Sequence, residues 1–265
     1  MSEAQHAEEQ VRYSVTNGAA EIVLDRPAQL NAMTELMVEQ LHDALGRLEA
    51  DGARALLVRA EGRGFCAGRD IAGAKPGEED GGQVLAQIFN PLMQRVADLA
   101  IPTVAAVQGA CLGTGLGLAL ACDVVLAADT AKFGSPFGKI GAVFDSGGHK
   151  AFVERLGPAV AMDLIYSGRF LSGEEAARAG LVSRSVPVDE LLDTARGYVA
   201  ALAKGPVKAF GESKRLVREC SDTPTSLARV LDLEAAAQSR ASQTRDYVEG
   251  FTAFLERREP VFTGE

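Results

Sequence analysis

The chain has 265 residues, of which 47% are hydrophobic and 24% charged, so it holds enough apolar material for one sizeable core or two modest ones. A formal charge of −9 with no basic tract sets nucleic acid aside as a partner, and no apolar run approaches the roughly 20 residues that span a bilayer. Four cysteines without C-x-x-C spacing and only three histidines support neither a disulfide framework nor a metal site. The acidic, polar opening from Met1 to Gln10 is unlike a signal peptide, and a cytoplasmic setting is expected.

In chain order, strand-like runs fall at Ala20 to Leu24, Ala55 to Val58, Thr103 to Val107 and Asp123 to Ala127. Helical periodicity lies between them. Met37, Leu41, Ala44, Leu45 and Leu48 share one face over Thr34 to Ala50, and Leu85, Ile88, Leu92, Val96 and Leu99 repeat the pattern before Ile101 and Pro102. The alternation predicts an α/β layered domain. Gly73 to Gly82 reads as a loop long enough to cover a ligand. Beyond Gly147 helices dominate, at Lys150 to Leu156, Ala159 to Tyr166, Leu191 to Ala203, Val207 to Glu219 and Tyr247 to Arg257, with one strand signal at Leu181 to Val186.

Two glycine-rich turns carry the chemistry. In the second, Gly113, Gly115 and Gly117 remove side-chain bulk just where a buried helix begins, so peptide N–H groups are offered to an anion, either an oxyanion or a phosphate. The first, Glu61 to Asp70, follows the Ala55 to Val58 strand. Together they are able to aim two donors at one oxygen.

The joint pattern resembles the enoyl-CoA hydratase/isomerase (crotonase) superfamily over residues 11–262. It rests on Leu24-Asp25-Arg26-Pro27, Asn31-Ala32-Met33, Gly64-Phe65-Cys66-Ala67-Gly68-Arg69-Asp70, Pro102 to Gly109, Ala119 to Asp123, Asp145-Ser146-Gly147-Gly148, Glu175 to Val182 and Glu249 to Arg258. The resemblance implies an α/β fold, a spiral of β-β-α units in residues 1–200, with a C-terminal helical trimerisation region in 201–265. It implies an acyl-coenzyme A substrate, no resident cofactor apart from the coenzyme A of the substrate, and a homotrimer or a dimer of trimers. Catalysis would rest on an oxyanion hole made by the backbone N–H groups of Arg69 and Thr114. Residues expected along the coenzyme are Arg26, Ala28, Ala67, Asp70, Ile71, Ala72 and Gly113, with Phe254 and Arg257 reaching a neighbouring subunit. Gly117, Phe137 and Phe144 are expected at the acyl pocket.

The two glutamates by which hydratases of the family activate water fall on Gly117 and Phe137. Neither residue moves a proton, which turns the reading toward double-bond isomerisation with Asp145 as base. Ordinary hydration and a silent acyl-CoA binder stand as alternatives. For Asp145 the competing role is a helix N-cap; for Asp70 a turn residue; for Asp123 an anchor between helix and strand; for His149 a surface or supporting position. Lys204, Lys208, Lys214, Arg215 and Arg218 read as a solvated helix face. Two other classes are weaker. A dinucleotide site at Gly62, Gly64 and Gly68 lacks the helix that should follow, and a Cys66 nucleophile elbow has only His149 as a downstream base.

Overall fold

A computed structural model describes residues 9–72 and 78–265; the first half of the segment expected as a covering loop, residues 73–77, lies outside them, and its last two residues, Gly81 and Gly82, begin a helix. Strands β1 (Val11–Thr16) and β2 (Ala19–Leu24) form an antiparallel hairpin. Asn17 and Gly18 take φ of 51° and 77° at its turn, the Asn-Gly signature of a two-residue hairpin. That dipeptide was the available signal for β1, which the apolar-run reading missed. Helix α1 (Glu35–Ala50) starts where the Thr34 hydroxyl accepts the Met37 N–H at 3.0 Å, and it buries the face marked by Met37, Leu41 and Leu45.

The chain continues through β3 (Ala55–Ala60), the short α2 (Gly81–Val84), a π-helical turn at Leu85–Phe89, and α3 (Asn90–Asp98). Strand β4 (Thr103–Val107), β5 (Ala110–Leu112), α4 (Thr114–Ala121), β6 (Val124–Ala128) and β7 (Lys132–Gly134) follow. After a 3-10 turn at Pro136–Ile140 come α5 (Gly148–Leu156), α6 (Pro158–Ser167), β8 (Leu171–Ser172), α7 (Gly173–Ala179), β9 (Arg184–Val186) and α8 (Leu191–Ala203). Three helices close the chain: α9 (Val207–Asp222), α10 (Leu227–Ala241) and α11 (Arg245–Glu256).

Among the described residues two sheets form. One has the order β1-β2-β3-β4-β6-β9, parallel from β2 onward, and the other β5-β7-β8. Every residue of β3 and β4 is buried, because α1 covers part of the larger sheet and α8 packs across β2, β3, β4 and β6. Helix α4 is buried from Thr114 to Leu120, which its apolar sequence requires. The expected alternation and helical C-terminus are both present. One expectation fails: Lys214 does not lie on a solvated face. Its ammonium pairs with Asp123 at 2.9 Å, and the same carboxylate oxygen accepts the Thr103 N–H and hydroxyl, both at 2.9 Å. Asp123 is thus the expected anchor, and it also ties α9 to the sheet.

Candidate active site

The two glycine turns abut. A Cβ built on Gly68 would lie 3.3 Å from the Leu112 carbonyl oxygen, and one on Gly113 would lie 3.7 Å from Gly68 Cα. Backbone conformation calls for glycine at both positions: Gly68 has φ 106° and Gly113 has φ 52°, ψ −122° at the start of α4. Hydrogen bonds then fix the direction of each following peptide. The Gly68 carbonyl accepts the Met33 N–H at 2.8 Å; in a trans peptide the Arg69 N–H must point the opposite way, away from Met33. The Gly113 carbonyl accepts the Gly117 N–H at 3.0 Å within the first turn of α4, leaving the Thr114 N–H directed out of the helix start. Each of the two N–H groups follows one of the glycines that meet.

Side chains around the donors are arranged with less symmetry. The Arg69 guanidinium is turned outward into a bidentate pair with Glu79, at 2.7 and 2.8 Å, and lies over the Phe89 ring at 6.0 Å. Thr114 is buried, and its hydroxyl oxygen has no hydrogen-bond partner among the described residues. Asp70 is the expected turn residue: it accepts the Ala72 N–H at 2.9 Å and pairs with Arg26 at 2.7 Å, which together hold its carboxyl below the usual range. Arg26 also donates to the Ala32 carbonyl at 3.1 Å, so its charge is committed inside the protein rather than held out for a phosphate.

Asn31 is a residue whose role the sequence reading did not draw out. Fully buried with φ 54°, it accepts the Arg26 N–H and donates to the Glu61 and Gly64 carbonyls, at 2.7, 2.9 and 2.8 Å. This one side chain fastens the Arg26 loop to the first glycine turn. Ala28 is exposed in the 3-10 turn Pro27–Gln29, Ala67 is half-buried, and Ile71 and Ala72 are exposed beside Asp70. On α11, far along the chain, Phe254 is 81% exposed and Arg257 is exposed at the helix end.

Asp145 precedes Ser146, the residue that seats this loop on α4. Gly117 packs directly beneath its neighbour, since a Cβ there would lie 2.4 Å from Ser146 Cβ and 2.5 Å from the Ser146 carbonyl oxygen. Ser146 itself has φ 55° and Gly147 φ 81°, two left-handed residues that turn the chain into α5. The cap of that helix is Gly147 with no side-chain bond, so the N-cap role weighed for Asp145 is not what its carboxylate does. Its side chain accepts only the Ser146 hydroxyl, at 2.8 Å, among the described residues, and burial pushes its pKa upward against the weaker pull of Arg69 and His149. His149 is exposed and lies 5.4 Å, centroid to centroid, from the Phe144 ring.

Phe137 lies across Gly113, its ring 3.0 Å from where a Cβ would sit, and 6.3 Å from the Phe144 ring. Phe144 is buried against Phe152 and the bare face of Gly148. Cys66 is also fully buried, with its thiol pushed up to about 12 by desolvation. That removes the thiolate a nucleophile elbow would need.

Residues 14–265 match the family model described as enoyl-CoA hydratase/isomerase. A Rhodobacter capsulatus protein named "Probable enoyl-CoA hydratase" is 38% identical over 254 residues, covering 96% of this chain and 98% of that protein. The 1,2-epoxyphenylacetyl-CoA isomerase of Escherichia coli is also 38% identical, over 259 residues, covering 95% and 97%. Among solved structures, enoyl-CoA hydratase from Bacillus anthracis superposes with a TM-score of 0.89 at 29% identity, covering 97% of this chain and 100% of that one.

Proposed function

Because the chain belongs to the enoyl-CoA hydratase/isomerase family and has the crotonase fold, we propose that it moves a double bond in an acyl-CoA, with Asp145 as the base. The observation that carries this reading is the state of the two hydratase glutamate positions beside a free carboxylate. Gly117 has no room for a side chain, Phe137 offers a ring, and Asp145, adjacent in sequence to the Ser146 that packs on Gly117, has one hydroxyl as its side-chain partner among the described residues.

In a 3-enoyl-CoA the Asp145 carboxylate takes a proton from C2, and the electron pair flows to the thioester oxygen. The Arg69 and Thr114 N–H groups hold that oxyanion, each donor of this type contributing about 2.7–4 kcal/mol at comparable sites. Protonated Asp145 then delivers its proton to C4, and the double bond settles between C2 and C3. A carboxyl raised by burial suits both halves of the transfer. Coenzyme A enters as part of the substrate and no other cofactor is required. Its contacts are assigned to backbone groups from Ala67 to Ala72 and to Phe254 and Arg257 across a subunit boundary. The exposed Val248, Phe251, Phe254 and Leu255 on α11 support a homotrimer or a dimer of trimers.

The test is Asp145→Asn assayed with 3-enoyl-CoA and 2-enoyl-CoA. Isomerisation is expected to fall by about 10²–10⁴-fold with substrate affinity retained. Unchanged isomerisation removes Asp145 as the base, and hydration by the unmodified protein at comparable rates overturns the isomerase reading.

A further inference from the structure

Cys66 occupies a place between the two turns that nucleophilic chemistry leaves unexplained. Its main chain pairs with β5, the strand that leads into the second turn, with its N–H donating to the Ala110 carbonyl and its carbonyl accepting the Leu112 N–H, both at 2.9 Å. Its side chain packs on that turn as well: a Cβ at Gly115 would lie 2.5 Å from Cys66 Cβ and 2.7 Å from its sulfur. The thiol donates to the Gly68 carbonyl at 3.7 Å, the oxygen that also accepts the Met33 N–H. That carbonyl and the Arg69 N–H are the two ends of one peptide group.

We propose that Cys66 is a positioning residue which fixes the direction of the Arg69 N–H and its distance from the Thr114 N–H. The proposal rests on the oxyanion-hole reading above. Two effects combine. A donor on the carbonyl end of a peptide polarises the amide and strengthens the N–H at its other end, and the side chain acts as a spacer between Gly68 and Gly115. Because the buried thiol keeps its proton to about pH 12, it stays a donor over the working range. Cys111 provides a built-in control. It is equally buried and donates to the Gly115 carbonyl at 3.6 Å, but that peptide carries neither oxyanion donor.

The experiment compares Cys66→Ser, Cys66→Ala, Cys66→Val and Cys111→Ala in the full chain, each checked for its thermal midpoint. Two readouts are taken: steady-state isomerisation, and the absorbance shift of bound cinnamoyl-CoA, whose conjugated carbonyl reports polarisation by the hole. C66A and C66V are expected to lose roughly five- to tenfold in kcat, with KM within about twofold and a smaller red shift. C66S keeps a donor but on a shorter bond and with less bulk, so it recovers only part of both, while C111A stays within about twofold of the unmodified protein. A full red shift and kcat in C66A overturn the positioning role, as does a C66A that loses kcat while its red shift stays full, since a fault outside the oxyanion hole gives that pattern. No red shift in the unmodified protein overturns the oxyanion-hole reading itself, and this inference with it.

Discussion

The two glycine turns present the same group, a peptide N–H, yet they are held in opposite ways. The first is tied by polar contacts from Met33, Cys66 and Asn31, and the side chain after it, Arg69, leaves toward Glu79. The second is held by exclusion. Gly115 and Gly117 meet Cys66 and Ser146 at distances where no Cβ fits, and Phe137 crowds Gly113, whose positive φ is the stronger restriction. A turn built from hydrogen bonds tolerates side chains that point away from it, whereas a turn built from close packing tolerates none, and the candidate base stands on the second kind.

The largest effect is expected at Gly117. Gly117→Glu, which places a hydratase-like carboxylate in the sequence, should destabilise the protein by about 3 kcal/mol or more through overlap with the Ser146 backbone, with no gain in hydration. Denaturant midpoints and a 2-enoyl-CoA assay check this; a stable variant that hydrates would break the contrast between the turns.

A second expectation concerns pH. Asp145 must be ionised to act as base, so kcat/KM should fall on acidification around a midpoint above the ordinary carboxylate range. For stability the sign reverses. A folded-state pKa raised above the unfolded value makes the protonated form the one that favours folding. The stabilisation is therefore present below the unfolded value and lost as pH rises through the folded one. Asp145→Asn should remove the acid limb of any residual activity and melt no lower than the unmodified protein at neutral pH; a marked drop in its melting point would assign the carboxylate a structural role.

Thr114→Val comes next. It replaces an unpartnered buried hydroxyl by a methyl of similar shape and leaves the backbone donor in place, so stability should rise by about 1 kcal/mol. A loss of stability would reveal a partner for that oxygen. Smallest is Arg69→Met, which keeps the proposed main-chain donor and removes the ion pair with Glu79, the contact with Phe89 and a weak pull on the Asp145 carboxyl. Turnover within roughly threefold of the original is expected, as surface pairs contribute little; a hundredfold loss would put the guanidinium itself in the chemistry.

Much of this was legible in the residues. Apolar runs located β2, β3, β4 and β6 to within two residues at either end, and helical spacing located α1 and α8, because in each the buried face is continuous. Strands β5, β7 and β8 went unread: with two or three residues apiece they show no periodicity, and their pairing is decided by partners distant in sequence. At the site, the two glycine turns that meet could be read from glycine placement. That Arg26 is already bound to Asp70, that Lys214 reaches Asp123, and that Asp145 caps nothing depend on side-chain directions that only the fold sets.

The seat of Ser146 on Gly117 also constrains how this chain can change. Restoring an acid at 117 first requires the turn at 145–147 to retreat, and such a retreat would carry Asp145 away with it. The two positions are therefore epistatic, and single substitutions that try to trade one chemistry for the other must pass through a form that has neither.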